Sequence, residues 1–254
     1  MGLKVRQWCA VGGALWFLAA NIHAADTTPQ RRQLTLVLHH LWQEASALAS
    51  VDDEQKKGAW ALDVHSRIVD PYLGWWRFSG LLDRLLAGAE AKPNEIQRQA
   101  LERVLADTMS RYVFEVLLDH AIDGHALEAI EVVDVEDRSQ IALTISGPFG
   151  LPVQVVYFTE GLTDQWHVVD MVVAGVRYSE WKGHRYRKSA DNGDWSTLLT
   201  ELEAKNQEFF GQFCDQLSNR TVELGEPRPH QMMQTPLPRY LSSACPPVSL
   251  EGAR

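Results

Sequence analysis

Apolar residues in the first half of the chain recur with the 3.6-residue period of amphipathic helices. Pro29 suits a first helical position, and a second helix is predicted between a cap at Asp52 or Asp53 and a stop at Pro71. One-sided apolar stripes of this kind predict helices that pack onto a core. The first helix carries its stripe at Leu34, Val37, Leu38, Leu41, Trp42, Ala45 and Leu48.

Two further helices are predicted around a segment that is rich in aromatic side chains. The segment begins at Tyr72, and a short Leu-rich helix after it is predicted to end at Gly88, which suits a helix C-terminus. Pro93 is then predicted to start the longest helix, which runs to about Leu118.

After Gly124 the apolar period changes from 3.6 to 2, which is typical of strands. Four strands are predicted, at residues 127–135, 141–145, 153–158 and from 166 onward, and the last two are apolar on both faces. Short turns join them, so they form an antiparallel meander. Because helices come first and last, the predicted class is α+β, with N-terminal helices packed on a four-stranded antiparallel sheet.

The stretch from Trp166 to Leu202 combines a strand, a basic run and a helix. The run at residues 182–188 breaks the strand pattern and is predicted to be a loop, and Asn192-Gly193 marks a turn. Asp194 is predicted to cap a C-terminal helix that continues through Phe213. An extended, Pro-rich tail is predicted over residues 221–254.

This stretch resembles the C-terminal half of the MlaC / toluene-tolerance family of periplasmic phospholipid-binding proteins. The similar features are Trp166-x-Val168-x-Asp170, then Gly175-Val176, the basic spacer, and Gly193-Asp194 followed by Leu198-Leu199. An upstream set also matches, from Val69-Asp70-Pro71-Tyr72 through the Leu-rich helix to the helix after Pro93. The resemblance covers roughly residues 29–206.

The resemblance implies a carrier that shuttles phospholipid between an inner-membrane ABC transporter complex and an outer-membrane lipoprotein complex. It implies no cofactor and no metal. We expect such a carrier domain over residues 25–220, built as an NTF2-like cone of helices on the sheet. Alternatives that stay open are a carrier of another lipid, such as a hopanoid, and a periplasmic interaction protein without a ligand.

The charge of the chain restricts its partners. The formal net charge is −9, and residues 1–24 contain Lys4 and Arg6 but no acid. A chain this acidic is not expected to bind nucleic acid or anionic membrane surfaces. If it handles lipid, protein partners must dock it to membranes, without stable insertion of the chain itself.

Residues 1–24 have the pattern of a signal peptide. Lys4 and Arg6 precede an apolar run from Trp8 to Ala20, and a small residue, Ala24, stands at the predicted cleavage site. An uncleaved membrane anchor is the alternative. Export predicts a periplasmic location, where Cys214 and Cys245 either form a disulfide or both remain free.

The sequence contains no nucleophile elbow, phosphate-binding loop or zinc-protease motif. His120, Asp123 and His125 could ligate a metal, but a helix end followed by a turn is the favoured interpretation. Asp170 on an apolar strand could be a general base, and we favour a structural partner of a backbone group or an arginine instead. No enzyme activity is predicted.

The surplus of apolar residues predicts either a double-sided core or a cavity between sheet and helices, and the resemblance favours the cavity. Basic side chains at Arg185, Arg187 and Lys188 are candidates for a headgroup or partner contact, with a solvated loop as the alternative. The candidate lipid-contacting residues are Trp76, Leu82, Val113, Leu117, Val155, Tyr157, Val168 and Val172.

Overall fold

The computed structural model describes residues 29–56, 58–119, 124–135, 138–147, 152–160, 167–189, 194–214 and 238–245. The described helices are α1 (Pro29–Ala49), α2 (Gly58–Val64), α3 (Asp70–Leu73), α4 (Phe78–Leu85), α5 (Glu95–Leu118), α6 (Tyr178–Ser189), α7 (Trp195–Gly211) and α8 (Arg239–Ala244). The strands are β1 (Ala126–Val135), β2 (Arg138–Ser146), β3 (Pro152–Glu160), β4 (His167–Val173) and β5 (Val176–Arg177). The predicted α+β class is confirmed.

The sheet is an antiparallel meander in the order β1-β2-β3-β4-β5, as the short predicted turns require. It has one strand more than predicted, because β4 reverses into the two-residue strand β5. The reversal uses Ala174 at φ 49° and Gly175 at φ 80°, and positive φ at both central positions is what a tight hairpin turn of this kind needs. The two added residues start directly before α6 and set its direction.

The helices form two adjoining cores over the sheet. In the first core, α4, α5, α6 and α7 enclose Leu81, Leu105 and Trp195, which are almost completely buried. In the second, α1, α2, α5, α7 and α8 surround Phe114, which has no exposed surface. Helix α5 contributes to both cores, which explains why the longest helix has no single apolar stripe.

Pro71 does not end the second helix, contrary to the prediction. The helical path continues from α2 through one π-helical turn, His65–Val69, into α3, where Pro71 lies in the first turn. The wider π turn gives room where a proline ring would clash with the preceding turn, and the missing N–H falls at a helix start. Asp52 and Asp53 do not cap α2; they belong to a separate 3-10 helix at Asp53–Gln55.

Two helix starts are set by capping side chains. Helix α5 begins two residues after Pro93, because the Asn94 side chain accepts from the Gln97 backbone N–H while the Gln97 side chain accepts from the Asn94 N–H. The prediction of a start at Pro93 is therefore corrected. Asp194 caps α7 as predicted, accepting from the Ser196 N–H at 3.1 Å. The predicted turn at residues 192–193 lies outside the described residues.

The basic run is a helix, not the predicted loop. Tyr178, Ser179, Gly183 and Tyr186 recur at spacings of one to four residues and are buried, so they form the packed side of α6. His184, Arg185 and Lys188 are exposed on the other side. The exposed basic side chains therefore form the solvent face of an amphipathic helix. The helix was not predicted because its buried face consists of tyrosines and small residues, which do not give a clear apolar periodicity.

The described part of the predicted extended tail, residues 238–245, contains a helix. In α8, Tyr240 and Leu241 are buried, and the Tyr240 ring lies 4.4 Å from that of Phe210 in α7. A disulfide joins Cys214, just after α7, to Cys245, just after α8. It settles the alternative that the sequence left open, and part of the tail belongs to the second core.

Asp170 is the buried carboxylate of β4, and it serves structure as favoured from sequence. It has no exposed surface, and it accepts from the Met171 N–H at 2.9 Å and from Arg177 Nη1 at 3.3 Å. It also accepts from the N–H and hydroxyl of Ser179. Through these contacts the carboxylate links β4 to the start of α6.

Candidate functional site: an apolar cleft between sheet and helices

An apolar cleft of about 270 Å³ lies between the inner face of the sheet and the helices. Helix α5 supplies one wall, α1 supplies the second, and the π turn with α3 supplies Ile68 and Tyr72. The cleft is open to the surface, and Val116 on its wall is 42% exposed. The lining side chains are Leu38, Leu41, Trp42, Ala45, Ile68, Tyr72, Met109, Tyr112, Val113, Val116, Leu117, Leu127, Leu143, Ile145, Val155, Tyr157 and Met171.

The register of the meander aligns the sheet side of the cleft. Val155 lies opposite Leu143 in β2, and Tyr157 lies opposite Met171 in β4. Since directly opposed residues of antiparallel strands share a face, these side chains form a continuous apolar surface. Ile145 and Leu127 extend it across β2 and β1.

The deepest polar groups of the cleft are phenols. The rings of Tyr72 and Tyr157 lie 6.3 Å apart, edge to face. Burial raises the pKa of Tyr72 well above its ordinary value, with a smaller contribution from Tyr157. Burial likewise raises the pKa of Tyr157. Both hydroxyls are neutral at physiological pH, so the lining there has no charge that would oppose an apolar ligand.

Four of the predicted lipid-contacting residues line this cleft: Val113, Leu117, Val155 and Tyr157. Trp76, Leu82 and Val168 lie instead in the first core, almost fully buried. Val172 lies opposite Val156, which places it on the other face of the sheet from Tyr157. The expectation that Val168 and Val172 share the cleft face is therefore corrected, and Met171 is the cleft residue of β4.

The three predicted basic contacts do not line the cleft. Arg185 pairs with Glu201 at 2.6 Å, and Arg187 donates to the backbone carbonyl of Leu85 at 3.0 Å. Arg187 and Lys188 border a separate polar depression of about 450 Å³, together with His184 and residues 88–91. Their predicted role as headgroup or partner contacts stays a prediction.

Two other cations stand beside the cleft at Tyr112, and sequence reasoning missed both. The Arg111 guanidinium lies 5.2 Å and the Lys182 ammonium 5.3 Å from the centre of the Tyr112 ring. Lys182 was counted within the basic run, but nothing in the sequence shows that it approaches α5. Arg111 lies in α5, which supplies one wall of the cleft, and only the fold brings it close to Lys182.

The acid next to this pair is Glu115. Its carboxylate lies 3.2 Å from Arg111 Nε, one helical turn away. Burial raises the pKa of Glu115, while the charge of Arg111 acts in the opposite direction. A buried arginine, a half-buried lysine and a carboxylate held against the arginine therefore lie near Tyr112, whose side chain lines the cleft.

The three residues that were considered as possible metal ligands are only partly covered by the structure. His125 is described, whereas His120 and Asp123 lie outside the described residues. Among the residues that are described, no cluster of three or more His, Cys, Asp or Glu side chains could hold a metal ion. No described helix combines the length and apolar character needed to cross a membrane.

No protein-family model matches the sequence, and no curated protein matches it significantly. Among solved structures, the chain is similar to the phospholipid-binding protein from Ralstonia solanacearum, which was determined in complex with a phospholipid. The TM-score is 0.53 at 13% sequence identity, over 72% of this chain and 99% of the other. At this level of identity the comparison establishes a shared α+β fold.

Proposed function

We propose that this protein is a carrier of phospholipid-class amphiphiles that holds the apolar tail of its ligand in the cleft. One observation carries the proposal: a cleft lined almost entirely by apolar side chains lies in a fold shared with a phospholipid-binding protein. A fully packed core, the alternative expected for an interaction protein without a ligand, would leave no such space between α5 and the sheet.

The energy for holding the ligand comes from burial of hydrocarbon. Each methylene group removed from water contributes about 0.8 kcal/mol, so ten buried carbons contribute roughly 8 kcal/mol before the cost of ordering the chain. This is enough to keep a lipid out of water during transit. The neutral phenols of Tyr72 and Tyr157 at the inner surface take part in binding only through their apolar rings.

We further propose that the carrier works in the periplasm and is passive. Its acidic character disfavours direct binding to anionic membrane surfaces, so loading and unloading require protein partners in the two membranes. In this scheme an inner-membrane ABC transporter complex and an outer-membrane lipoprotein complex are the partners, and the carrier has no catalytic step. The resemblance in motif order supports this assignment.

The test introduces a carboxylate at a position inside the cleft and, as a control, at a position outside it. Val155→Asp puts a carboxylate on the cleft wall, where hydrated space exists in the empty protein but not beside bound hydrocarbon. We expect a folded protein that no longer co-purifies with lipid. Val133→Asp, at an exposed position of β1, is the control and should retain lipid.

Circular dichroism melting and organic extraction are measured on all three proteins. Wild-type protein that yields no lipid after native purification, and that binds none when lipid is added, contradicts the proposed function. Equal lipid content in Val155→Asp and wild type would show that the cleft is not the binding site.

A further inference from the structure

The volume of the cleft limits how much hydrocarbon it can hold. An apolar protein cavity of about 150 Å³ accommodates one benzene molecule, which has six carbons. On that scale the 270 Å³ cleft holds roughly eleven carbons. A single palmitoyl chain has about sixteen carbons and a diacyl lipid about thirty-two, so the space matches most of one chain and about a third of two.

Two further depressions in the described part of the chain, each about 450 Å³, are less suited to a second acyl chain, because charged side chains border both. One includes Glu90, His184 and Lys188, and the other includes Arg77, Asp83 and Glu160. An acyl chain placed in either would remove some of these charged groups from water, which is unfavourable.

The charged groups at Tyr112 indicate what kind of head the single chain carries. Tyr112 lines the cleft one helical turn from Val116, the exposed residue of the wall. Arg111 and Lys182 both lie within 5.3 Å of the Tyr112 ring centre, so two cations stand next to a side chain of the cleft wall, within reach of the head of a lipid whose tail lies in the cleft. Arginine and lysine are the side chains that suit a phosphate group.

The two cations differ in how free they are to bind. Arg111 is only 9% exposed and is held by Glu115, so it contributes a fixed positive charge. The Lys182 ammonium also lies 3.9 Å from the centre of the Trp181 ring, and Trp181 is itself 48% exposed. The long lysine side chain can therefore follow a headgroup at the surface while its charge stays beside the cleft.

From the cleft volume and the Arg111–Lys182 pair beside its wall at Tyr112, we infer that the ligand is a single-chain phospholipid, a lysophospholipid, with its acyl chain in the cleft and its phosphate at the pair. This inference rests on the proposed carrier function and narrows its substrate class. A diacyl lipid would leave its second chain in water, and a fatty acid would present a carboxylate in place of the phosphate.

Native mass spectrometry of the full mature chain tests the inference by competition. The protein is incubated with equimolar palmitoyl lysophosphatidylglycerol and dipalmitoyl phosphatidylglycerol, and in a second experiment with the lysolipid and palmitate. We expect one lysolipid per protein and at least a tenfold preference over the diacyl lipid. Equal or tighter binding of the diacyl lipid overturns the single-chain inference but leaves the carrier function intact, whereas binding of none of the three overturns both.

Variants of two partly exposed lysines test the position of the head. Lys182→Gln should weaken lysolipid binding about five- to tenfold, because a partly exposed charge-assisted contact to phosphate is lost. Lys205→Gln removes an equal charge from a partly exposed position of α7 that is not part of the cleft lining, and it should leave the affinity unchanged. Both variants should melt like wild type. Unchanged affinity in Lys182→Gln, an equal loss in Lys205→Gln, or palmitate binding as tight as that of the lysolipid, overturns the assignment of the phosphate to Arg111 and Lys182.

Discussion

The Asp170 carboxylate, fully buried in β4, accepts two hydrogen bonds from Ser179 at the start of α6, at 3.2 Å from the backbone N–H and 2.6 Å from the hydroxyl. The connection spans only nine residues, and it fixes the helix that carries Lys182 against the strand that carries Met171. One carboxylate therefore joins α6 to the strand that contributes Met171 to the cleft.

We predict that Asp170→Asn destabilises the protein by about 2–4 kcal/mol, because one oxygen acceptor and the charge facing Arg177 are lost inside the core. Urea denaturation followed by circular dichroism measures the change. Glu180→Gln is the matched control, since Glu180 pairs with the same Arg177 but is 77% exposed, and it should cost almost nothing. Equal effects of the two substitutions would contradict the structural role of Asp170.

The disulfide between Cys214 and Cys245 should contribute measurably to stability. It closes a loop with a sequence separation of 31 residues and holds α8 on the second core. Reduction, or replacement of both cysteines by serine, should cost about 3 kcal/mol and lower the melting temperature by roughly 6–12 °C. The double serine variant should not respond to reductant. A wild-type melting temperature that reductant leaves unchanged would show that the bond contributes nothing.

Gly183 lies in the middle of α6, where helix propensity alone would favour alanine. A Cβ at this position would stand 2.7 Å from the Leu85 carbonyl oxygen and 2.8 Å from Arg187 Nη1, which donates to that same oxygen. Gly183→Ala should therefore destabilise by about 1–3 kcal/mol, despite its higher propensity. Gly211→Ala, with no atom within 4 Å of the added Cβ, should be neutral or slightly stabilising. Thermal melts of both variants check the difference.

Gly183 also illustrates why α6 could not be predicted from the sequence. One glycine and five basic residues, counting histidine, occupy positions 182–188 and suggest a loop. The packed side of the helix consists of tyrosine, serine and glycine, which hydropathy scales do not rank as strongly apolar. The meander and the caps at Asn94 and Asp194 depend on local chemistry, and local chemistry is visible in the sequence. Close approach of Gly183 to Leu85 depends on residues that are about a hundred positions apart.

The cleft was predictable as a surplus of apolar residues, but its lining was predictable only in part. Val155 and Tyr157 alternate on one face of β3, so choosing that face fixed both residues correctly. On β4 the choice between Met171 and Val172 depends on register, and a one-residue difference exchanges the faces. The sequence predicts a turn at residues 160–164 but not the register that follows it, and β3 and β4 share an irregular pairing between Phe158 and Thr159.

The contact between His65 and Tyr240 should make stability depend on pH. The Tyr240 hydroxyl lies 2.8 Å from His65 Nδ1, and burial lowers the pKa of His65 from 6.5, with the charge of Asp70 acting in the opposite direction. Below pH 6.5 the unfolded chain binds more protons at this site than the folded chain, so stability falls as the pH drops through 6.5 toward the lowered pKa.

Melting temperatures between pH 8 and pH 5 check this expectation. His65→Gln should flatten the acidic side of the profile relative to wild type. A profile that is equally steep with and without His65 would assign the pH dependence to other groups.

The last prediction concerns Val168, which the sequence placed on the cleft wall and the structure places in the first core. Val168 is 2% exposed, its backbone bonds to Trp75 and Arg77, and its side chain packs in the cluster with Trp76 and Leu81. A carboxylate there has no cavity that admits water, so Val168→Asp should unfold the protein or leave it molten. Val155 lies in the neighbouring strand β3 and lines the open cleft. Val155→Asp should therefore stay folded, because water in the cleft hydrates the new charge. Near-ultraviolet circular dichroism of the two variants separates the cases: native signal in Val168→Asp would mean that this residue, and not only Val155, borders space that water can enter.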